Sequence, residues 1–359
     1  MSDTVIVGMS GGVDSSVTAK ILKDLGYNVE CVFMKNWEGD DKNCNSEEDY
    51  KDALSVCDHL DLPLRSVNFS NEYWDNVFKH FIDEYARGRT PNPDVLCNRE
   101  VKFKAFLDYA FNLGAVKIAT GHYAQINESE DEFHLLKGLD KNKDQSYFLY
   151  LLGQNELSKS LFPIGDIDKV KVRKIAENSG LINYAKKDST GVCFIGEQQF
   201  FKEFLKKYIP VKPGLIQTID GNICGEHDGL MYYTMGQRKG LGIGGGHGFR
   251  EAPWFVADKD LDNNILIVAQ GHDHPSLFHH GLEADQIHWI NEAPTNSLEN
   301  ISAKIRYRQD DQSCRITELS KNNCKVIFNE PQFAITPGQS VVFYIDNKCM
   351  GGAIIDKRF

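Results

Sequence analysis

The stretch from Val5 to Ser16, Val-Ile-Val-Gly-Met-Ser-Gly-Gly-Val-Asp-Ser-Ser, constrains this chain more than any other. An apolar, β-branched run stops at Ser10-Gly11-Gly12, and an amphipathic helix begins within Asp14 to Ser16. Paired glycines let successive backbone N–H groups turn toward one anion, the hydroxyls of Ser10, Ser15 and Ser16 add donors, and the helix N-terminus adds partial positive charge. The stretch therefore reads as a phosphate site. Asp14 is placed to help hold Mg²⁺ on the same phosphates. No Gly-Lys-Ser/Thr ending follows, which separates this loop from those that grip the β/γ-phosphates with a lysine. The alternative is a plain strand-to-helix turn, but a bare turn has no need of paired glycines flanked by hydroxyls and a carboxylate.

From Thr4 to about Thr120, short β-branched runs (Val5–Met9, Asn28–Met34, Leu64–Phe69, Val116–Thr120) alternate with amphipathic segments at Ser15–Leu25, Ser46–His59 and Glu72–Arg87. This predicts an α/β domain with a doubly wound parallel sheet covered on both faces. Ligands in such sheets sit beyond the carboxyl ends of the strands, where Ser10–Ser16, Met34 and Gly121-His122-Tyr123 fall. Met34 is either a core side chain or a surface for adenine, and His122 lacks an identifiable partner that would make it a catalytic base. Helix-like segments follow at Tyr147–Leu152 and Asp168–Ser179, and prolines and a glycine near Tyr208–Gly214 mark a boundary.

Beyond that boundary the pattern is β-rich. It predicts a small central domain over 209–276, with strands at Gly214–Ile219, Leu230–Met235, Phe255–Asp258 and Asn264–Ala269, and a mobile or ligand-covering loop at Gly236–Gly248. A C-terminal β-barrel is expected over 277–359, and the first domain with its basic extension takes 1–208. Alternation in Ile301–Arg308 would send Lys304, Arg306 and Arg308 to one face, either to track phosphates or simply to face solvent. His272, His274, His279 and His280 lie among turn residues without a third ligand, so no metal site is expected.

The net charge is −11, unpromising for a polyanion partner, but its distribution is uneven. Glu38–Asp58 holds eight acidic and two basic residues, whereas Lys137–Pro213 holds fourteen basic and nine acidic ones. A nucleic acid would meet the middle of the chain. No apolar run approaches the roughly 20 residues of a membrane span, and the first strand pattern at Thr4 leaves no room for a signal peptide, so a cytoplasmic protein is expected. Nothing demands more than a monomer. The nine cysteines form no Cys-x-x-Cys pair, which argues for free thiols over a zinc or iron–sulfur site; Cys31 and Cys57 read as core positions.

Two cysteines stand in unusual contexts. Cys97 follows Thr90-Pro-Asn-Pro-Asp94, with a helix expected to start near Asn98; a thiol at a helix N-terminus beside Arg99 has its thiolate favoured, and Asp94 is a candidate proton carrier. A loop cysteine beside a helix cap is the plainer reading. Cys193, in Ser189-Thr-Gly-Val-Cys-Phe-Ile195, reads by default as a buried strand residue.

These segments, together with Thr120–Tyr123, Asp144-Gln-Ser-Tyr-Phe148, Gly225–Gly229 and Tyr233–Leu241, in this order closely resemble the bacterial tRNA-specific 2-thiouridylases of the MnmA family, a branch of the PP-loop ATP pyrophosphatases. The resemblance covers nearly the whole chain. It implies an enzyme that uses ATP and Mg²⁺ to replace the C2 oxygen of the wobble uridine by sulfur in tRNAs for lysine, glutamate and glutamine. Carried over, Gly8, Met9, Ser10, Gly11, Gly12, Val13, Asp14, Ser15, Met34 and Gly121 would bind ATP. Asn92, Pro93 and Asp94 would line the target base, and His122, Lys143, Asp144, Gln145, Arg306, Tyr307 and Gln339 would meet tRNA. Cys97 would be the nucleophile and Cys193 the carrier of a persulfide from a sulfur-carrier or cysteine desulfurase protein, the two ending as a disulfide. A small-molecule PP-loop ligase would share the nucleotide loop without needing two thiols and a β-barrel, and a non-enzymatic RNA-binding or redox-sensing protein would not need the loop.

Overall fold

The computed structural model describes residues 3–38, 46–188, 201–243, 252–294 and 298–359. Strands β1 (Thr4–Gly8), β2 (Asn28–Lys35), β3 (Leu64–Asn68) and β4 (Lys117–Ala119) follow in chain order, then a hairpin of β5 (Ala124–Ser129) and β6 (Glu132–Lys137), then β7 (Ser160–Leu161). All but the hairpin form one sheet in the order β3-β2-β1-β4-β7, with every pairing parallel. The period of two divides β1 between two cores. Val5 and Val7 pack with α1 (Val13–Asp24), α2 (Ser46–His59) and helix Lys169–Asn178, whereas Ile6 faces the helices on the other side. Each fully buried Val or Ile adds roughly 1.5–3 kcal/mol. This is the expected doubly wound α/β domain. Cys31 on β2 and Cys57 on α2 are core residues, as read from the sequence.

The segment expected as one helix from Glu72 to Arg87 runs from Ser70 to Ala86 and passes through a π-helical turn at Trp74–Phe78. Tyr147–Leu152 is not a helix but a short 3₁₀ turn at Ser146–Phe148, because Tyr147 and Tyr150 are fixed by burial and by hydrogen bonds to Ser340 across the molecule. Leu230–Met235 is likewise no strand: Leu230–Tyr232 is a 3₁₀ turn whose apolar run is buried on all sides. A short apolar run carries no period that separates the two.

In the middle of the chain β8 (Gly214–Thr218), β9 (Ile223–His227), β10 (Trp254–Asp260) and β11 (Ile265–Gln270) form a sheet in the order β10-β11-β8-β9. The loop expected at Gly236–Gly248 lies in part, from 244 onward, outside the described residues. Strands β12 (Phe278–Trp289), β13 (Leu298–Lys304), β14 (Gln312–Leu319), β15 (Cys324–Phe333), β16 (Ser340–Ile345) and β17 (Lys348–Arg358) close into a six-stranded barrel through the β12–β17 pairing. The β5–β6 hairpin, unread in the sequence, extends this barrel sheet from within the first domain: Leu135 and Leu136 of β6 pair with Cys349 and Lys348 of β17.

The three-cation face expected on Ile301–Arg308 does not form, because the strand ends at Lys304. Lys304 is buried and reaches the Asp144 carboxylate at 3.3 Å, while Arg306 donates to the carbonyls of Phe333 and Ala334. Tertiary carboxylates and carbonyls claimed cations that alternation alone would have left facing one way.

The middle sheet is tied to the first domain by Lys259, whose Nζ donates to the Gly88 carbonyl at 2.8 Å. Burial pushes this ammonium down to about 7. Between pH 7 and the ordinary lysine range the unfolded chain therefore binds more protons than the folded one, and this group makes stability rise with pH across that window. Chemical denaturation at a series of pH values should show that rise in the parent protein and a flatter profile in Lys259→Met; an unchanged slope would remove Lys259 as its source.

Candidate active site

The strand order reverses between β1 and β4, and the loops after these two strands meet there. Gly11 has φ +76°, and a Cβ on it would come within 2.2 Å of the Asp49 carbonyl oxygen, so only glycine serves. Gly121 packs against the first turn of α1, where a Cβ would lie 2.8 Å from the Asp14 carbonyl carbon and the Ser15 nitrogen. The loop is internally braced. Ser10 N donates to Ser15 Oγ at 3.2 Å, and the hydroxyls of Ser15 and Ser16 donate to the Gly12 carbonyl at 3.0 and 2.9 Å. Asn183 Nδ2 donates to the Gly11 carbonyl at 3.0 Å and to Ser16 Oγ at 2.9 Å. Asn183 thus ties the two-glycine loop to the start of α1. Met9 and Val13 are buried beneath the loop, and half-buried Met34 lies over Gly8, its methyl 3.1 Å from where a Cβ would be.

Asp14 is not an isolated carboxylate. Lys169 Nζ reaches its two oxygens at 2.7 and 2.9 Å, and the Tyr123 hydroxyl donates to it at 2.8 Å. Lys169 also pairs with Asp188 at 2.8 Å, which receives Lys143 at 2.6 Å and Arg173 at 2.8 Å. Burial alone would raise the Asp188 carboxyl, but the bonds from Lys143 and Lys169 outweigh it and hold the group down at about 2. Nearby, Lys186 bonds Asp49 at 2.7 Å and Asp52 at 2.5 Å. Lys169, Asp188 and Asn183 were missed as site residues by sequence reading, and Tyr123 was placed at the crevice only as part of Gly121–Tyr123. The one visible signal was the lysine-rich Asp168-Lys-Val-Lys-Val-Arg173, which reads as a polyanion-facing or simply solvated surface; Asp168 caps that helix by accepting from Lys171 N at 2.8 Å, and this start turns Lys169 inward.

The Cys97 segment differs from expectation in one respect that bears on reactivity. The helix starts at Pro93, with Asn92 extended at its cap, and continues through a π-helical stretch at Cys97–Ala105. Proline is pre-organised for the first helical position. Asp94 therefore occupies the first turn, where the helix dipole favours a carboxylate, and Cys97 lies beyond it; Arg99 is paired with Glu100 at 2.6 Å. Asp94 stays open to solvent, yet the density of protein around it raises its carboxyl pKa against the pull of Lys102. Cys97 is buried. Cys193 lies outside the described residues.

The residues expected to meet tRNA are mostly engaged with other parts of the chain. Gln339 Nε2 donates to the carbonyls of Thr90 at 2.8 Å and Pro91 at 3.3 Å, so the barrel props the loop that enters the Cys97 helix. Asn92 lies against the buried Tyr147 hydroxyl, which donates to the Ser340 carbonyl at 2.9 Å. Asp144 is 4% exposed and accepts from the backbone of Gly138 and Ser146; Gln145 Oε1 accepts from Tyr123 N at 2.9 Å. Tyr307 donates to the Lys143 carbonyl at 3.2 Å and packs its ring 4.4 Å from that of Phe148. His122 is buried between Phe103 and Phe162, bonded to Thr120 at 2.7 Å, and burial holds it neutral far below its usual range. The side chains of His122, Asp144, Gln145, Arg306 and Gln339 are thus held by hydrogen bonds within the fold.

Residues 3–197 match the model of a tRNA methyl transferase HUP domain, 202–270 that of a tRNA methyl transferase PRC-barrel domain, and 279–355 that of an aminomethyltransferase beta-barrel domain. The chain is 56% identical over 357 residues to the tRNA-specific 2-thiouridylase MnmA of Psychromonas ingrahamii, covering 99% of this chain and 97% of that one. It is 58% identical over 360 residues to its namesake in Hydrogenovibrio crunogenus, covering 99% and 94%. Salmonella arizonae supplies another at 57% over 357 residues, covering 99% and 97%. The domain descriptions mention methyl transfer, but it is these end-to-end relatives that define the family. With more than half of its residues identical to theirs along the whole length, and with a glycine-paired phosphate loop and a Cys97 helix in one α/β domain, this chain belongs to the tRNA-specific 2-thiouridylase family MnmA.

Proposed function

We propose that this protein is the sulfurtransferase that converts the wobble uridine of tRNAs for lysine, glutamate and glutamine to 2-thiouridine, with release of AMP and pyrophosphate. The observation that carries the reading is the phosphate loop at the β1/β4 switch point of the same domain that holds Asp94 and Cys97 on one helix. A uridine carbonyl oxygen is a poor leaving group. Its O2 attacks the α-phosphorus of ATP and pyrophosphate leaves, with the loop N–H groups accommodating the charge. Asp14, freed of Lys169, would hold Mg²⁺ together with the phosphate oxygens, where the ion would supply charge neutralisation. Lys169, now on Asp14, is the protein cation that can turn to the departing pyrophosphate. The base leaves the anticodon stack to be read, at lower expense in a loop than in a duplex.

Sulfur then arrives as a Cys193 persulfide. Its terminal sulfur adds to C2, AMP leaves, and Cys97 thiolate attacks Cys193 Sγ to break the S–S bond; alternatively Cys97 attacks first and frees hydrosulfide, which adds to C2. Both routes end in a Cys97–Cys193 disulfide, which a thiol reductant reopens, and Asp94 handles the protons. The protein works as a monomer in the cytoplasm, with a persulfide-carrying protein as donor. Mass analysis of nucleosides from tRNA incubated with the protein, ATP, Mg²⁺ and a persulfide donor tests this directly: 2-thiouridine at the wobble position is expected, and unmodified tRNA with intact ATP would refute it. Asp14→Ala should cut tRNA-dependent pyrophosphate release about 100-fold or more; release at the parent rate would sink the assignment of the loop.

A further inference from the structure

Asn98, the residue after Cys97, is 3% exposed, and its Nδ2 donates to the Phe148 carbonyl at 3.1 Å. Its Oδ1 is buried and accepts no hydrogen bond among the described residues. A buried amide oxygen without a donor is destabilising, so a half-satisfied asparagine invites a ligand as its missing partner. The Phe148 carbonyl also fixes the amide. A carbonyl can bond only the NH₂ end, so Oδ1 is left as a pure acceptor and cannot exchange roles by rotation. Asn183 has an orphan Oδ1 as well, but it lies under the phosphate loop, where the ligand is an anion with no proton to give.

Resting on the reaction given above, we propose that Asn98 Oδ1 receives the N3–H of the extruded uracil and is the residue by which the site tells uridine from cytidine. In uracil the N3–H stands next to the reacting C2 carbonyl, the edge that a group beside the sulfur-handling thiol would meet. Cytosine offers a lone pair at N3. Against Oδ1 this sets acceptor to acceptor and leaves the amide oxygen orphaned, a mismatch that discriminates far more than a missing apolar contact. The acceptor also helps the chemistry: as O2 bonds to phosphorus and pyrophosphate leaves, the ring gains positive charge shared with N3–H, which an acceptor there stabilises.

The test is fluorescence anisotropy of the full-length protein with anticodon stem-loop RNAs that carry uridine or cytidine at the wobble position. The parent protein should prefer the uridine RNA. Asn98→Ala should weaken the uridine RNA about 10- to 100-fold and leave the cytidine RNA unchanged, so that the preference vanishes. Equal loss for both RNAs would make Asn98 a brace for Phe148 and overturn the inference while leaving the reaction untouched. No preference in the parent protein, with no thiouridine formed, would instead defeat the reaction assignment and this inference together. If Asn98→Ala does not fold, Asn98→Leu, of nearly the same shape and without an acceptor, decides the same question: lost preference supports the inference and retained preference overturns it.

Discussion

A Cys97→Ser protein should bind ATP and tRNA as the parent does and incorporate no sulfur. The hydroxyl cannot attack a persulfide sulfur at neutral pH, and neither route to the Cys97–Cys193 disulfide can finish without it. Cys97 lies beyond the first turn of its helix, and the neighbouring Arg99 is paired with Glu100. In the proposed reaction Asp94, open to solvent with a raised pKa, is the group that handles the thiol's proton. Single-turnover transfer of radiolabelled sulfur should therefore fall by about 1000-fold or more in Cys97→Ser, while adenylation, followed as pyrophosphate release, continues. Undiminished labelling would make this thiol a packing residue. Cys193→Ser should show the same split when the donor is a persulfide protein.

The second large effect is expected at a position that the sequence hides. Lys169→Met would strip Asp14 of its cation and leave Asp188 with Lys143 and Arg173. Asp14 is about a third exposed, so the loss of folding stability should be about 2 kcal/mol, below what a fully buried orphan charge would cost. The catalytic effect should be larger than that. Pyrophosphate release should drop about 100- to 1000-fold, as when an electrostatic donor to a developing charge is removed. Urea denaturation and a pyrophosphate assay separate the two, and a variant that loses stability but keeps its release rate would make Lys169 a purely structural partner of Asp14.

The two outcomes differ in how much could be read ahead. The Ser10–Ser16 loop is legible because its chemistry is local: glycine pairs, hydroxyls and a helix start act within seven residues. Lys169 reaches the same loop from a helix 155 positions away, and a lysine in a polar run looks solvated until packing turns it inward. The same reason accounts for Lys304, read as part of a cationic strand face and found buried on Asp144. His122 and Gln145 could be singled out by motif, but their hydrogen bonds to Thr120 and Tyr123 are facts of folded geometry.

By itself the sequence determined the alternation of strand and helix, the phosphate loop, the contexts of Cys97 and Cys193 and the change to an all-β C-terminal half, because each rests on neighbours in the chain, on the period of side-chain direction or on residue types that only one backbone shape suits. Only the tertiary structure decided that a hairpin of the first domain joins the barrel sheet, that Gln339 props Thr90 and Pro91, that the Cys97 helix begins at Pro93 and that Asp14 is held by Lys169. These are pairings between groups far apart in the chain, or choices among competing partners for one polar group. Burial settles them by penalising every buried donor, acceptor or charge left without a match, a condition set by the whole fold.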